Sequence, residues 1–240
     1  MTAAEGTPRL SFGERLARAA SVFLDPRVLI ILLLGFSSGL PLALSGSTLL
    51  LWMKDVGVDL GTIGLFALVG LPYTIKFLWA PIVDAFQVPV LSRLLGHRRG
   101  WLLFSQLLLI VAILLLAIQD PVKAPWLVAL AAVIVATASA TQDIVIDAFR
   151  VEYLPVENQA AGMAYFVAAY RIGMLVSTAG AVALVAYLEY RGVDRGVVWA
   201  YGYAAIAVLV LIGMAAAFAA HEPREKERGA QAEGLGEPGG

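Results

Sequence analysis

The sequence predicts an all-α membrane protein built around six transmembrane helices, and three observations carry that reading. Hydrophobic residues make up 60% of the 240-residue chain and charged residues only 15%, against roughly 45–50% and about 25% in soluble domains. Mean hydropathy is +0.82. The apolar residues are also gathered into runs, several of them long enough for the about 20 residues of helix that cross a bilayer core.

Residues 1–27 read as a polar leader. Within it, Phe12, Leu16, Ala20 and Phe23 fall on one helical face and Glu14, Arg15 and Arg18 on the other. That pattern predicts a short amphipathic helix lying on the membrane surface. The first apolar run is too long for the core of a cleavable signal peptide, and no small-residue cleavage site follows it. The six predicted spans are Val28–Met53, Thr62–Val83, Trp101–Ile118, Trp126–Phe149, Ala161–Leu188 and Val197–Ala219. Charge, Pro or Gly marks the junctions, as in Lys54-Asp55-Val56-Gly57 and His97-Arg98-Arg99-Gly100. Residues 220–240 turn abruptly polar and Gly/Glu-rich, the composition of a disordered tail or the start of a central loop.

Orientation follows from the basic residues. One side of the six spans collects Arg9, Arg15, Arg18, Arg27, Arg93, Arg98, Arg99, Arg150, Arg224, Lys226 and Arg228, eleven in all. The other collects four: Lys54, Lys123, Arg191 and Arg195. The excess predicts that both termini are cytoplasmic.

Inside the spans, Gly35-Phe36-Ser37-Ser38-Gly39 is a small-xxx-small pattern that lets helix backbones approach. Pro41, Pro72 and Pro81 remove backbone hydrogen bonds and favour kinks. The charges are more telling, because an ionisable side chain at the centre of a membrane helix costs roughly 2.5–3.5 kcal/mol on insertion scales. Lys76 lies eight residues before Asp84, about 12 Å inside the second span. Asp143 lies seven residues before Arg150, and Arg171 about ten residues into the fifth span. The three are at comparable depth, and a cavity with two cations and one acid suits an anionic solute coupled to a proton. Asp143 and Asp147 share a helix face at i, i+4, so a proton or cation is needed between them. Asp143, the deeper, is the stronger candidate to take up that proton. Tyr73, Gln142 and Tyr170 are nearby polar and aromatic residues of the kind that hydrogen-bond or stack on a sugar, although no spacing fixes them there. Asp84, Arg98, Arg99, Asp147 and Arg150 are expected to form an ion-pair network at the cytoplasmic surface.

Other functions are disfavoured. The chain has no cysteine and two histidines, His97 and His221, both near predicted membrane edges, so no metal site is expected. No HExxH, GxSxG or Gly-rich phosphate loop occurs, so neither catalysis nor a cofactor is expected. A net charge of -1 without a basic face gives nucleic acid nothing to bind.

Five blocks carry a family resemblance: Gly35-Phe-Ser-Ser-Gly-Leu-Pro-Leu-Ala-Leu-Ser-Gly46, Lys76-Phe-Leu-Trp-Ala-Pro-Ile-Val-Asp84, Arg98-Arg-Gly-Trp101, Ser139-Ala-Thr-Gln-Asp-Ile-Val-Ile-Asp-Ala148 and Tyr170-Arg-Ile-Gly-Met174. In that order they resemble the AmpG-type anhydromuropeptide permeases. The fourth block is similar to a signature shared with the acetyl-CoA transporters. The resemblance implies one half of a major facilitator fold in the bacterial inner membrane. It also implies proton-driven import of GlcNAc-anhydroMurNAc, with or without peptide, for cell-wall recycling. Lys76, Asp143, Asp147 and Arg171 fall on the family's intramembrane charged positions. The implied partners are lipid, substrate, protons and either a second six-helix half or a second copy of the chain. Six helices alone would leave the charged trio facing lipid, so an isolated chain is expected to be unstable or oligomeric. The alternatives are transport of acetyl-CoA or another anionic metabolite, or a non-transporting half acting as a membrane scaffold.

Overall fold

The computed structural model describes residues 24–221. Among them are six helices long and apolar enough to cross a membrane: Pro26–Asp55, Leu60–Leu78, His97–Ala117, Pro125–Tyr153, Val156–Tyr190 and Arg195–Ala219. No strand occurs among the described residues. The limits differ from the sequence reading where charge or proline intervenes. The second span breaks at Trp79 and resumes as Ala80–Ala85, while the fourth runs on to Tyr153 because its terminal charges find partners. The amphipathic helix expected before Leu24 and the tail from residue 222 lie outside the described residues.

Aspartates start three of the spans. Asp25, Asp59 and Asp194 accept backbone N–H bonds from Arg27, Thr62 and Gly196 at 2.8, 2.9 and 2.8 Å. Each satisfies a donor that the first helical turn leaves unpaired. At one end of the bundle two hairpins use the same Gly-Val-Asp-x-Gly sequence, Gly57 to Gly61 and Gly192 to Gly196. Gly57 and Gly192 take φ of 84° and 80°. That left-handed turn lets Val58 and Val193 donate back to Met53 and Leu188 at 2.9 and 3.0 Å. The opposite end of the bundle carries most of the arginines.

Spans one, three, four and six form the packed centre, each lying against two of the others. Near the arginine-rich end this centre is filled by Ile31, Leu34, Leu102, Ile146 and Phe149, all fully buried. Towards the other end Trp52 packs on Tyr203 and Trp199 at centroid distances of 5.0 and 6.3 Å. The second and fifth spans lie outside: only 17% and 22% of their apolar windows are buried, against 67% for the first and fourth. Leu65, Phe77, Ile172 and Leu175 stand on their open faces.

The fifth span is held through glycine. A Cβ on Gly35 would lie 2.6 Å from the Phe166 carbonyl oxygen, and one on Gly39 would overlap the Tyr170 carbonyl. Gly173 returns the contact: a Cβ there would overlap the Phe36 carbonyl and lie 3.3 Å from the Gly39 Cα. The small-residue stripe of the first span is therefore where two backbones touch. Higher up, both spans widen into single π-turns, Leu44–Thr48 and Val176–Gly180. These meet through Thr48 Oγ1 donating to the Ser177 carbonyl at 3.1 Å and through the Ser47 and Thr178 hydroxyls at 3.0 Å.

The second span is interrupted by 3-10 segments at Phe66–Gly70 and Lys76–Leu78. Pro72 and Pro81 each sit in the first turn of a fresh helical piece, where the missing N–H goes unused. Trp79 Nε1 ties the break to the fourth span by donating to Thr141 Oγ1 at 3.1 Å.

The expected surface network is divided into three parts and gains a member, Glu152. Arg98, 11% exposed, holds Asp84 at 2.6 Å and Glu152 at 2.6 Å. It thus joins the break after span two, the start of span three and the end of span four. Arg99 donates to the carbonyls of Ala217 and Phe218 at 3.0 and 2.9 Å, where the sixth span presents unpaired acceptors. Asp147 and Arg150 form a separate long pair at 3.9 Å.

Two outcomes are expected in detergent melting experiments. Gly39→Ala should destabilise by about 1–3 kcal/mol through overpacking, whereas Gly64→Ala, with nothing within 4 Å of its Cβ, should not. A Gly39→Ala protein melting at the wild-type temperature would mean the two backbones do not touch there. Arg98→Met takes the guanidinium from the largely buried Glu152 carboxylate, at a cost of about 3–5 kcal/mol. Asp84→Asn, at a half-exposed partner, should cost about 1 kcal/mol or less, and equal losses from the two changes would overturn this ranking.

Candidate functional site

Four spans converge on Asp143. The fourth carries Ser139, Asp143 and Asp147 at intervals of four, which puts them on one stripe of the helix. The small residues Ala136, Ala138 and Ala140 pack this helix deeply, each at most 1% exposed. The first span crosses here, and the Ser38 hydroxyl donates to Asp143 Oδ1. Lys76 comes from the interrupted second span and acts on Asp143 through space. No ion pair within 4.0 Å joins the two among the described residues. Tyr170 comes from the fifth span, positioned by the Gly39 contact, and lies within electrostatic reach of both Asp143 and Asp147.

The predicted site residues separate into two groups. Lys76, Asp143 and Tyr170 are brought together, partly buried, with Asp147 exposed one turn nearer the arginine-rich end. Arg171 is not part of this group. It is exposed on the open side of the fifth span and makes no ion pair among the described residues, because one residue along a helix rotates a side chain by about 100° away from Tyr170. Gln142 is likewise turned away from this group, fully buried with both amide atoms unpartnered among the described residues. The Tyr73 ring is partly buried and its hydroxyl fully so.

Three contributors escaped sequence reasoning. Ser38 and Glu152 meet their partners only through packing between distant segments. Ser139 had a signal, since it sits one turn before Asp143 on the same face. The resulting site is a carboxylate with one hydroxyl donor and an ammonium held beyond ion-pairing distance. Its charge is matched only in part, so a proton or a passing cation would change its energy strongly in so apolar a setting.

Comparison with known proteins gives this geometry a context. The profile of the Major Facilitator Superfamily matches residues 31–238. The chain is 44% identical over 205 residues to the anhydromuropeptide permeases of Escherichia coli strains K12 and O157:H7, covering 85% of this chain and 39% of each relative. It is 33% identical over 195 residues to a protein of Rickettsia conorii described as transporter AmpG 4, covering 81% of this chain and 45% of that one. The chain therefore spans less than half the length of these relatives, which are described as permeases and transporters and not as enzymes. With six apolar spanning helices, no strand among the described residues and this match over most of its length, the chain belongs to the Major Facilitator Superfamily.

Proposed function

We propose that this chain is one half of a proton-coupled secondary transporter that imports anhydromuropeptides across the bacterial inner membrane, with Asp143 as its proton carrier. The observation that carries the reading is the position of Asp143, well inside the spans, bonded to Ser38 and near Lys76, where four spans meet. A charged group so placed is expensive unless it has a task. The identity to anhydromuropeptide permeases supports the cargo, and the arginine excess at one end supports a cytoplasmic location for that end.

The chemistry couples the two ligands. While Asp143 is ionised it serves as the nearby counter-charge to Lys76. A proton on Asp143 cancels that attraction and releases the ammonium to meet an anionic solute. Proton and solute then favour each other's binding, and by linkage the help is mutual. Tyr170 offers an aromatic face and a hydroxyl for a sugar ring. The open faces of the second and fifth spans support a partner that covers them, either another six-helix half or a second copy.

The test is uptake of radiolabelled GlcNAc-anhydroMurNAc into proteoliposomes under an inward proton gradient, with acetyl-CoA as competitor. Wild-type protein should accumulate label, Asp143→Asn should lose about 100-fold or more of the gradient-driven rate, and Lys76→Met should weaken solute affinity. Uptake displaced by acetyl-CoA would shift the cargo to that anion. Accumulation surviving Asp143→Asn would remove Asp143 from the coupling, and uptake absent beside a working full-length control would favour the scaffold reading.

A further inference from the structure

The packed centre of spans one, three, four and six is not apolar throughout. Leu34, Leu103, Val145 and Ala216 belong to the apolar cluster nearer the arginine-rich end. Leu40, Leu109, Ala138 and Val210 belong to the cluster towards the other end. Between these two sets, three or four residues from each along its own helix, stand Ser37, Gln106, Gln142 and Gly213. One turn of each of the four packed spans therefore forms a layer that divides the core. Its three side chains are polar, and all three are fully buried.

Gly213 brings two of these side chains together: a Cβ there would overlap the Ser37 hydroxyl and lie 2.6 Å from Gln106 Nε2. The third is tied to the same level by the bond between Ser38 and Asp143, since Ser37 and Gln142 are the residues just before those two. Ser37 Oγ and both amide atoms of Gln106 and of Gln142 have no hydrogen-bond partner among the described residues. Other hydroxyls in these spans fold back on their own helix. Ser45, Ser105 and Thr141 donate to the carbonyls of Pro41, Leu102 and Thr137 at 2.9, 3.0 and 2.8 Å. Ser37 does not. Polar groups left unmatched in so apolar a core are costly, and folded proteins rarely keep them.

The pattern of donors and acceptors selects the ligand. Each amide presents two N–H donors and one carbonyl oxygen, and a serine hydroxyl can act either way. A cation would meet two NH2 groups as well as the oxygens, with no carboxylate among the three side chains to balance it. Asp143, next in the chain, is turned about 100° from Gln142 and bonded to Ser38. An anion would meet the two amide oxygens. Water donates and accepts, so it pairs with every group. From this arrangement we infer that the layer Ser37–Gln106–Gln142 is an internal water-binding site, covered on the sixth span by Gly213. Water held there by two or more of these side chains links spans one, three and four at one level. The site stands apart from the role of Asp143 and does not depend on it.

The experiment is an experimental structure of the assembled wild-type protein in lipid nanodiscs, at a resolution that shows ordered water. Density within hydrogen-bond distance of at least two of the three side chains is expected. Amides bonded directly to each other or to helix carbonyls, with no density beside them, would overturn the site. Melting of the same preparation gives a second reading. Gln106→Leu and Gln142→Leu should each lower the melting temperature by about 2 °C or more. The double variant should fall by less than the two shifts combined, because the amides share their water. Strictly additive shifts would make the two amides independent and overturn the shared site. A melting temperature raised by sodium chloride but not by choline chloride, with the rise lost in Gln106→Leu, would put a cation in the layer and overturn water as its ligand. The density is read from the wild-type protein, so that result stands even where a variant fails to fold.

Discussion

The close approach of the first and fifth spans is the contact on which the rest of the arrangement depends. Lipid tails are as apolar as the helices, so association inside a membrane draws on van der Waals packing and interhelical hydrogen bonds. Gly35, Gly39 and Gly173 supply the first by letting carbonyls and Cα atoms touch. The paired π-turns supply the second through Thr48, Ser47 and Thr178. Because Tyr170 is itself the residue pressed onto Gly39, this contact also sets the distance from the fifth span to Asp143.

The electrostatics follow from that geometry. A carboxylate inside the spans is tolerable only with donors or cations nearby. Asp143 has Ser38 in contact and Lys76 at a remove. The incompleteness distinguishes it from the arginine-rich end, where Arg98 grips Asp84 and Glu152 at 2.6 Å each. The first arrangement can change its charge state at small structural cost. The second is closed and holds three chain segments together. A transporter needs both kinds, one to switch and one to keep an end of the bundle intact while it moves.

The division of the spans carries the same message. The first and fourth are deeply packed, whereas the second and fifth expose leucine, isoleucine and phenylalanine along most of their length. In a bilayer such faces are satisfied by lipid or by protein alike. Lys76 and Tyr170 come from these two spans, so whatever covers those faces lies close to the residues around Asp143.

Much of this was legible in the sequence. Hydropathy alone counts the spans. Helical periodicity alone puts Ser139, Asp143 and Asp147 on one stripe, and glycine spacing marks the stripe on which a helix can be approached. These are properties of a single helix, fixed by 3.6 residues per turn. Which stripe meets which is another matter, decided by crossing angles and depth registers between segments far apart in the chain. Ser38 and Asp143 are 105 residues apart, and Arg98 and Glu152 are 54 apart. Depth along the spans grouped Arg171 with Lys76 and Asp143, but a rotation of one residue carries it to the open surface, and the same rotation turns Gln142 into the core. Depth in the sequence already offered Lys76, but tertiary packing alone kept Lys76 over Arg171 and added Ser38 as the company of Asp143, because direction around a helix axis has meaning only once a neighbouring helix is in place.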